Sequence, residues 1–454
     1  MLLSMDEFRA FEPKKTTYAL FGWPLGHTMS PELHAQLFEA SGQDADYIGV
    51  AVPPEDLPEA FELAKRKLGG INCTIPHKKA VISLLDEIDT AARDLHSVNT
   101  VRFADGKATG FNTDILGFAE SLNRDGVSLQ GKKVLLLGYG GAASVMAYHC
   151  VTQGAYLIIT GRNLEKAEAL QKQLTDAVPG ARISVFSRRH IPRDIHIVLN
   201  STPVGMYPNV GVSALDITSM PGLEAVIDVI YNPDKTELIL RAEELGVPVA
   251  VGGLEMLVAQ AVYAAEFFLD RKFEDAGAEI ARVTSELRRE QLNIALIGMP
   301  SSGKSTLGRA LAERLGKRFV DLDEEIIKAD GRSIPDIFAA EGEAGFRKLE
   351  AAQTARFARE NRQVISCGGG VVKDPANLRA LHANGIVLFI DRPLEDLLVG
   401  GGRPLSTSPE ALKTMEAQRR PLYLAAADAV IPNKTTPADA VTAAMEALDE
   451  IFSH

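Results

Sequence analysis

Cysteine, tryptophan and long apolar runs are scarce in this 454-residue chain, and each scarcity excludes something. The three cysteines, Cys73, Cys150 and Cys367, stand far apart, and no two have metal-ligand spacing. Neither a disulfide framework nor a cysteine-based zinc site is expected, and a reducing, cytoplasmic compartment is. No apolar run reaches the roughly 18 residues of a membrane span. Residues Met1 to Lys15 mix charges of both signs and lack the apolar core of a signal peptide, so they read as a frayed lead-in. Positive charge is also in deficit. With 48 Lys and Arg against 60 Asp and Glu, the net charge is −12, which argues against nucleic acid as a partner but leaves room for local pockets that bind small anions. There is no low-complexity stretch and no solenoid-period repeat. At 46% hydrophobic and 24% charged residues the composition is ordinary for a globular protein, and the length suits two or three domains.

What is present is organised around Gly298-Met299-Pro300-Ser301-Ser302-Gly303-Lys304-Ser305, which fits G-x-x-x-x-G-K-[ST]. Glycines let such a loop fold round phosphates with several N–H groups pointing inward. Lys304 then reaches the outer phosphates, and the Ser305 hydroxyl can ligate Mg²⁺. The apolar run Asn293–Ile297 before the loop reads as a buried strand. Leu307, Leu311 and Leu315 after it recur at helical spacing, so strand, loop and helix stand in the order this chemistry needs. Ser301, Ser302, Gly303 and Thr306 complete the candidate nucleotide site.

The preceding 290 or so residues show a different pattern. Tyr18–Gly22 reads as a strand. Ser30 followed by Pro31 reads as an N-cap and first helical residue of a helix running to about Ala40. Thr28 and Ser30 either shape that turn or bind a carboxylate at the helix N-terminus. The stretch from Gly69 to Lys79 is an apolar strand running into a turn that presents Asn72, Thr74 and Lys78. Polar tips follow at Asn99 and at Asn112-Thr113-Asp114. Gly138-Tyr139-Gly140-Gly141-Ala142-Ala143, after the strand Val134–Leu137, fits the dinucleotide fingerprint G-x-G-x-x-A. The next strand, Tyr156–Thr160, ends in Gly161-Arg162-Asn163 with Lys166 one turn on. Cations there suit a 2′-phosphate and favour NADP over NAD. Further strands are expected at Ile195–Leu199, Ala225–Val229 and Val247–Val251, with Tyr231 just past one tip. A long helix opens after Gly252-Gly253, and Gln260 two turns in is either a satisfied core amide or a substrate contact. A last helix from Glu274 to Arg288 reaches the charged seam Arg288-Arg289-Glu290-Gln291, taken as the junction.

Beyond the phosphate loop, Arg318–Asp323 reads as a strand ending in D-x-D, where Asp321 and Asp323 can serve Mg²⁺ or a hydroxyl proton. Arg347 and Glu350, at i and i+3 on a helix, make at least an ion pair. Gly368-Gly369-Gly370 after a buried strand implies a backbone that comes very close to a ligand. Gly400-Gly401-Gly402-Arg403-Pro404-Leu405 reads as a flexible basic lid. Arg419 stands before a helix break expected at Pro421.

These motifs, in this order, resemble two families. Residues 16–290 resemble shikimate dehydrogenase. The resemblance implies NADPH-dependent reduction of 3-dehydroshikimate to shikimate, with Lys78 and Asp114 as the catalytic pair and Thr28 and Ser30 as carboxylate-binding hydroxyls. It further implies Asn72, Thr74, Asn99, Tyr231 and Gln260 as substrate contacts, and Gly138, Gly140, Gly141, Ala142, Arg162, Lys166 and Gly253 at the cofactor. Thr28 stands where the family usually has serine, and Gly161 and Lys166 also depart from its pattern. Residues 292–454 resemble shikimate kinase, which implies transfer of the γ-phosphoryl of ATP to the shikimate 3-hydroxyl. By position, Asp323 would take the hydroxyl proton, Arg347 and Arg419 would bind the carboxylate, Gly369 and Gly370 would line the ring, and Arg403 would close over the phosphoryl group beside Lys304. The adenine-stacking Arg that this family often places before R-P-L is missing.

The expected architecture is therefore an α/β substrate domain over 1–115 completed by the helices of 252–290, a Rossmann domain over 116–251, and a P-loop kinase domain with a parallel sheet, like that of nucleoside-monophosphate kinases, over 291–454. Rival readings are a quinate dehydrogenase joined to another small-molecule kinase, and a non-catalytic pathway sensor built from the same folds.

Overall fold

The computed structural model describes residues 1–26, 28–398, 408–434 and 436–453. Three sheets form among them. The first has seven strands: β1 (Leu2–Leu3), β2 (Thr16–Gly22), β3 (Ala45–Ala51), β4 (Gly70–Cys73), β5 (Glu87–Ile88), β6 (Thr100–Ala104) and β7 (Lys107–Phe111), in the order β1-β3-β2-β4-β6-β7-β5. Strands β1 to β4 run parallel, while β6 is antiparallel to both β4 and β7. The second sheet is parallel throughout: β8 (Lys133–Leu137), β9 (Tyr156–Thr160), β10 (Arg182–Val185), β11 (Ile197–Asn200), β12 (Ala225–Asp228) and β13 (Val249–Val251). Its order, β10-β9-β8-β11-β12-β13, is the 3-2-1-4-5-6 order of dinucleotide-binding folds, so the order reverses at β8, the strand before the G-x-G-x-x-A loop. The third sheet, also parallel, is β14 (Asn293–Ile297), β15 (Arg318–Asp321), β16 (Gln363–Ser366), β17 (Gly385–Asp391) and β18 (Ala429–Pro432), ordered β15-β16-β14-β17-β18. The strand feeding the phosphate loop is its central one. Both parallel sheets read as runs of Val, Ile and Leu because helices cover both faces. Val134 to Leu137 and Ile294 to Ile297 are each at most 1% exposed.

Contacts divide the chain into two compact units. One comprises Met1–Pro203, Ala214–Tyr231 and Arg241–Thr284, and the other Val204–Ser213, Asn232–Leu240 and Ser285–His454. The division falls inside a helix. The charged seam at 288–291, expected as a junction, is helical: Ala276–Gln291 is one helix, and only Leu292 separates it from β14. Arg288 and Arg289 pair with Asp234 and Asp449 at 2.8 and 2.6 Å, so the seam is charged because its face is paired. In the first unit the helix Leu254–Leu269 packs on Thr113–Arg124. Gly117 permits that approach, since a Cβ there would lie 2.8 Å from the Met256 carbonyl and the Gln260 amide.

Several local expectations are corrected. The N-terminus is not frayed. β1 pairs with Gly49 and Val50, and Ser4 and Glu7 form a capping box on the helix Met5–Ala10. Phe8 of that helix is fully buried, edge-on to Phe21 with ring centroids 5.7 Å apart. Charged residues hid this because only one helix face, Met5 and Phe8, is apolar. Met29, not Ser30, occupies the N-cap of Ser30–Ala40, and the Thr28 hydroxyl accepts the Ser30 N–H at 3.2 Å. Strand β15 ends at Asp321, which caps the helix Leu322–Asp330, so Asp323 sits in that helix's first turn rather than on a strand. Pro421 breaks nothing. It lies inside the helix Pro409–Ala426, where Arg419 and Tyr423 on either side both donate to the Gly369 carbonyl.

Phe8→Ala removes a fully buried ring and should destabilise the first unit by about 3–5 kcal/mol. Urea unfolding followed by circular dichroism tests this, and an unchanged midpoint would restore the frayed reading.

Candidate active sites

In the first sheet, chemistry gathers where β4, the β6–β7 pair and the helix Thr113–Arg124 converge. Lys78, on the short helix His77–Ala80 after β4, places Nζ 2.6 Å from Asp114 Oδ2. Asp114 sits in the first turn of its helix, where the N-terminal dipole favours a carboxylate. Its other oxygen accepts Asn99 Nδ2 at 2.9 Å. The lysine and aspartate side chains are 28% and 18% exposed, so the pair is mostly withdrawn from solvent yet still reached by it. Asn72 is held within the protein: its Nδ2 donates to the Asn99 carbonyl at 3.1 Å and to Thr100 Oγ1 at 2.9 Å, and its Oδ1 accepts the Tyr47 hydroxyl at 2.7 Å. Thr74 is half-buried beside Gly22. Thr28 donates to Ser30 Oγ at 3.2 Å, which brings the two expected hydroxyls together. Gln260, half-buried, donates to the carbonyl of Leu257 on its own helix at 2.8 Å, and Tyr231 is 41% exposed.

In the second sheet, Gly138 has φ 116°, and a Cβ there would meet Ser201, which follows β11. Gly140 caps the helix Gly141–Thr152, with Ala142 in its first turn. A Cβ on Gly140 or Gly141 would find no protein atom within 4 Å, so the helix N-terminus is open to a phosphate. Arg162 and Lys166 are exposed just past β9, and the Asn163 carboxamide caps the helix carrying Lys166. Gly161 is covered by the Tyr139 ring. Gly253 is a packing glycine as well: the Val229 backbone occupies the place of its Cβ. Sequence reasoning left unexplained a buried polar clasp at the tips of β11 and β12, where Asn200 donates to Asp228 at 3.0 Å and Asp228 accepts the Ile230 N–H at 3.1 Å.

In the third sheet, Gly298 (φ 145°) and Gly303 (φ 91°) shape the phosphate loop, and a Cβ on either would come within 2.7 Å of Ile390 O or Asn433 Nδ2. Asn433 also donates to the Ser302 carbonyl at 2.8 Å, a clamp from 131 residues away with no local signal. Lys304 Nζ folds onto the carbonyls of Gly298 and Met299 at 3.0 and 2.8 Å. Ser302 is fully buried, its N–H on Met299 O, while Ser301 has φ 63° and donates to Leu398 O. Ser305 donates to Asp321 Oδ2 at 2.6 Å and lies 3.2 Å from Ser366 Oγ. Asp321 Oδ1 accepts the Asp323 N–H at 3.1 Å.

Gly303, Lys304, Ser305, Thr306, Asp321 and Asp323 line a cavity of about 400 Å³ that also holds Arg347, Gly369, Gly370, Arg419 and the apolar walls Phe338, Phe346 and Met415. Arg347 is braced by Glu350 at 2.6 Å and Glu343 at 3.0 Å, and lies where a Gly370 Cβ would be. Glu350 is fully buried. Burial pushes its carboxyl above the ordinary range against the pull of Arg347, and its Oε1 has no hydrogen-bond partner among the described residues. Glu343 was missed, although its i, i+4 spacing to Arg347 was a signal. The ion pair thus proves to be a cavity wall, not a surface pair. Arg403 and the expected lid lie outside the described residues.

The residues fit the implied groups. Open glycines and exposed cations suit a dinucleotide phosphate, and the positive-φ loop with Lys304 suits a triphosphate. No cluster of three or more His, Cys, Asp or Glu suited to a metal occurs among the described residues. Ser305 and Asp321 match instead the sparse protein ligation of a Mg²⁺ that keeps waters and phosphate oxygens.

Fold and site define an α/β reductase of the dinucleotide-binding class joined to a P-loop phosphotransferase. Family models match in the same order: the shikimate dehydrogenase substrate-binding domain over residues 20–101, shikimate/quinate 5-dehydrogenase over 120–203, and shikimate kinase over 300–449. The NADP(+) shikimate dehydrogenase of Carboxydothermus hydrogenoformans is 38% identical over 250 residues, covering 54% of this chain and 89% of the relative. Among solved structures, a chorismate mutase/shikimate 5-dehydrogenase fusion protein from Clostridium acetobutylicum aligns with TM-score 0.55 and 32% identity over 61% of this chain and 99% of that one. Shikimate 5-dehydrogenase from Thermus thermophilus, in complex with NADP(H) and shikimate, aligns with TM-score 0.52 and 29% identity over 60% and 100%. The chain belongs to the shikimate dehydrogenase family and carries a shikimate kinase domain at its C-terminal end.

All three cysteines are free and buried, and burial raises each thiol, Cys73 to about 12 and Cys150 and Cys367 higher still. A thiol-disulfide reagent at pH 8 should therefore label none in the native protein and three after denaturation. Fast native labelling would contradict the buried placement.

Proposed function

We propose that this chain is a bifunctional enzyme of the shikimate pathway, reducing 3-dehydroshikimate to shikimate and then phosphorylating the 3-hydroxyl. The observation that carries the reading is the occurrence on one chain of the 2.6 Å Lys78–Asp114 pair and of a phosphate loop opening into a cavity with Arg347, Arg419 and paired glycines.

At the first site bound NADPH supplies the hydride. Lys78, held by Asp114, donates the proton that the carbonyl oxygen needs as it becomes a hydroxyl. Asn99 fixes the aspartate from behind. Thr28 and Ser30 bind the substrate carboxylate, with Asn72, Thr74, Tyr231 and Gln260 round the ring. Gly138, Gly140, Gly141, Ala142, Arg162, Lys166 and Gly253 form the cofactor site, where the two cations favour NADP. At the second site bound MgATP supplies the phosphoryl group. Asp323 takes the proton of the attacking hydroxyl, the guanidinium forks of Arg347 and Arg419 hold the carboxylate, and Gly369 and Gly370 let the ring approach the backbone. Lys304 and Ser305 stand at the phosphate loop for the developing charge and the metal. Arg403 is assigned to the closing lid.

The domains assigned are those of the sequence reading: 1–115 with 252–290, 116–251, and 291–454. The partners are small molecules rather than nucleic acid or membrane. No helix among the described residues is long and apolar enough to cross a membrane, and with three unpaired thiols this supports a cytoplasmic location.

A coupled assay tests the reading: 3-dehydroshikimate, NADPH and MgATP, with NADPH loss and ADP release followed together. Lys78→Ala should lower the first signal at least about 100-fold and Lys304→Ala the second by a similar factor, each leaving the other step intact when shikimate is supplied. NADPH loss without ADP release would remove the kinase assignment. Neither signal from folded protein would favour a sensor, and faster turnover of quinate with NAD would favour the quinate reading.

A further inference from the structure

We infer that Tyr47 and Thr100, neither of which faces the reacting atoms, are positioning residues for the reduction step. The inference rests on the proposed reading of Lys78 and Asp114 as its catalytic pair. A directed chain of hydrogen bonds carries it. The Tyr47 hydroxyl donates to Asn72 Oδ1 at 2.7 Å. Asn72 Nδ2 donates to Thr100 Oγ1 at 2.9 Å, and Thr100 Oγ1 donates to Asn99 Oδ1 at 3.0 Å. Asn99 Nδ2 donates to Asp114 Oδ1 at 2.9 Å, and the opposite oxygen of Asp114 holds Lys78. Every member from Tyr47 to Asn99 is at most 6% exposed.

The direction of the chain matters because an amide side chain can flip. Asn72 and Asn99 each present one accepting and one donating end, and nothing in their shape distinguishes the two. Here the ends are assigned by neighbours. Burial holds the Tyr47 phenol well above the ordinary range, so it keeps the proton that it donates to Asn72. Its ring is fixed by stacking on His34, 4.2 Å between centroids and 7° apart in plane. His34 is itself fully buried and pushed down to about 3, so it is neutral and brings no competing charge. With Asn72 Oδ1 taken by a donor, its Nδ2 faces Thr100 and also the Asn99 carbonyl, at 3.1 Å. The Thr100 hydroxyl, having accepted, gives its proton to Asn99 Oδ1, which also accepts the Thr113 N–H at 2.8 Å. With its Oδ1 held by both donors, Asn99 turns its amide N–H₂ to the carboxylate that holds the lysine. Hydrogen bonds in a chain of this kind strengthen one another, so loss of one link loosens the hold on the next amide, although the Asn99 carbonyl still holds Asn72 and the Thr113 N–H still holds Asn99. Turning Asn99 would set a carbonyl oxygen against the Asp114 carboxylate and move Lys78 off line.

Tyr47→Phe keeps the stacked ring and removes the first donor. Thr100→Val keeps the shape and removes the relay, and Thr100→Ser keeps the relay. Steady-state reduction of 3-dehydroshikimate is measured for each, with kinase turnover and melting temperature on the same samples and Lys78→Ala as the reference variant. The expected result is an about tenfold fall in kcat for Tyr47→Phe and Thr100→Val with KM within twofold, and recovery by Thr100→Ser. The double variant should be no worse than Thr100→Val, since both cut one chain. A Tyr47→Phe enzyme with unchanged kcat while Lys78→Ala is inactive would overturn the inference and leave the site reading standing. A loss of kcat that merely follows lowered melting temperature, or fails to recover with serine, would make these residues packing only. A Lys78→Ala enzyme that retains its rate would remove the reading itself, and the inference with it.

Discussion

A phosphate can be held by backbone N–H groups only where no side chain stands between them and it. Much of this structure follows from that constraint. In each parallel sheet the chain leaves the strand at which the order turns, passes through glycines, and enters a helix whose first N–H groups have no intrahelical partner. The two loops meet the constraint differently. Gly140 and Gly141 have ordinary φ values and nothing within 4 Å of a Cβ, so their bareness serves the space in front of the helix. Gly298 and Gly303 have positive φ and crowded Cβ positions, so their bareness serves the loop's own shape. The first arrangement suits a pyrophosphate lying across a helix end; the second wraps round a phosphate chain.

The remaining chemistry depends on charges that are partly or wholly out of water, each with a partner. Lys78 and Asp114 hold one another beyond the ends of β4 and β7. Arg347 holds Glu350, which no solvent reaches. In such places the cost of removing one member exceeds the worth of the pair, because the survivor is left uncompensated. Arg347 is therefore fixed in direction, and so is the anion it can receive. The Asn200–Asp228 clasp uses the same economy of pairing to hold two strand tips in register where a ligand-binding face must not shift.

Much was legible in the sequence because the relevant signals are local. The phosphate loop, the G-x-G-x-x-A turn and the strands flanking them were readable from short windows, and β9 and β14 have the expected bounds. Where reading failed, a longer-range interaction had overridden the local one. Pro421 suggests a break, yet the helix continues between Arg419 and Tyr423, which share one carbonyl. Ser30 suggests a cap, yet Thr28 takes the N–H. The N-terminal residues carry the charges of a loose lead-in, yet two leucines add a strand and Phe8 finds a place against Phe21. The charged seam at 288–291 gives no local sign of being helical and paired, because its acids, Asp234 and Asp449, are distant in sequence.

The sequence by itself determined the classes of chemistry and their order along the chain, because a dinucleotide loop and a phosphate loop are each encoded within a dozen residues by backbone requirements that few residue types satisfy. Tertiary structure alone decided which of those residues meet. That Asn72 is held by Tyr47 and Thr100, that Asn433 clamps Ser302, that Glu350 is buried against Arg347, and that Tyr47 sits at the head of the hydrogen-bond chain to Asp114 all depend on strand order. Strand order is set by the burial of whole sheet faces, a sum over many residues that no short window contains.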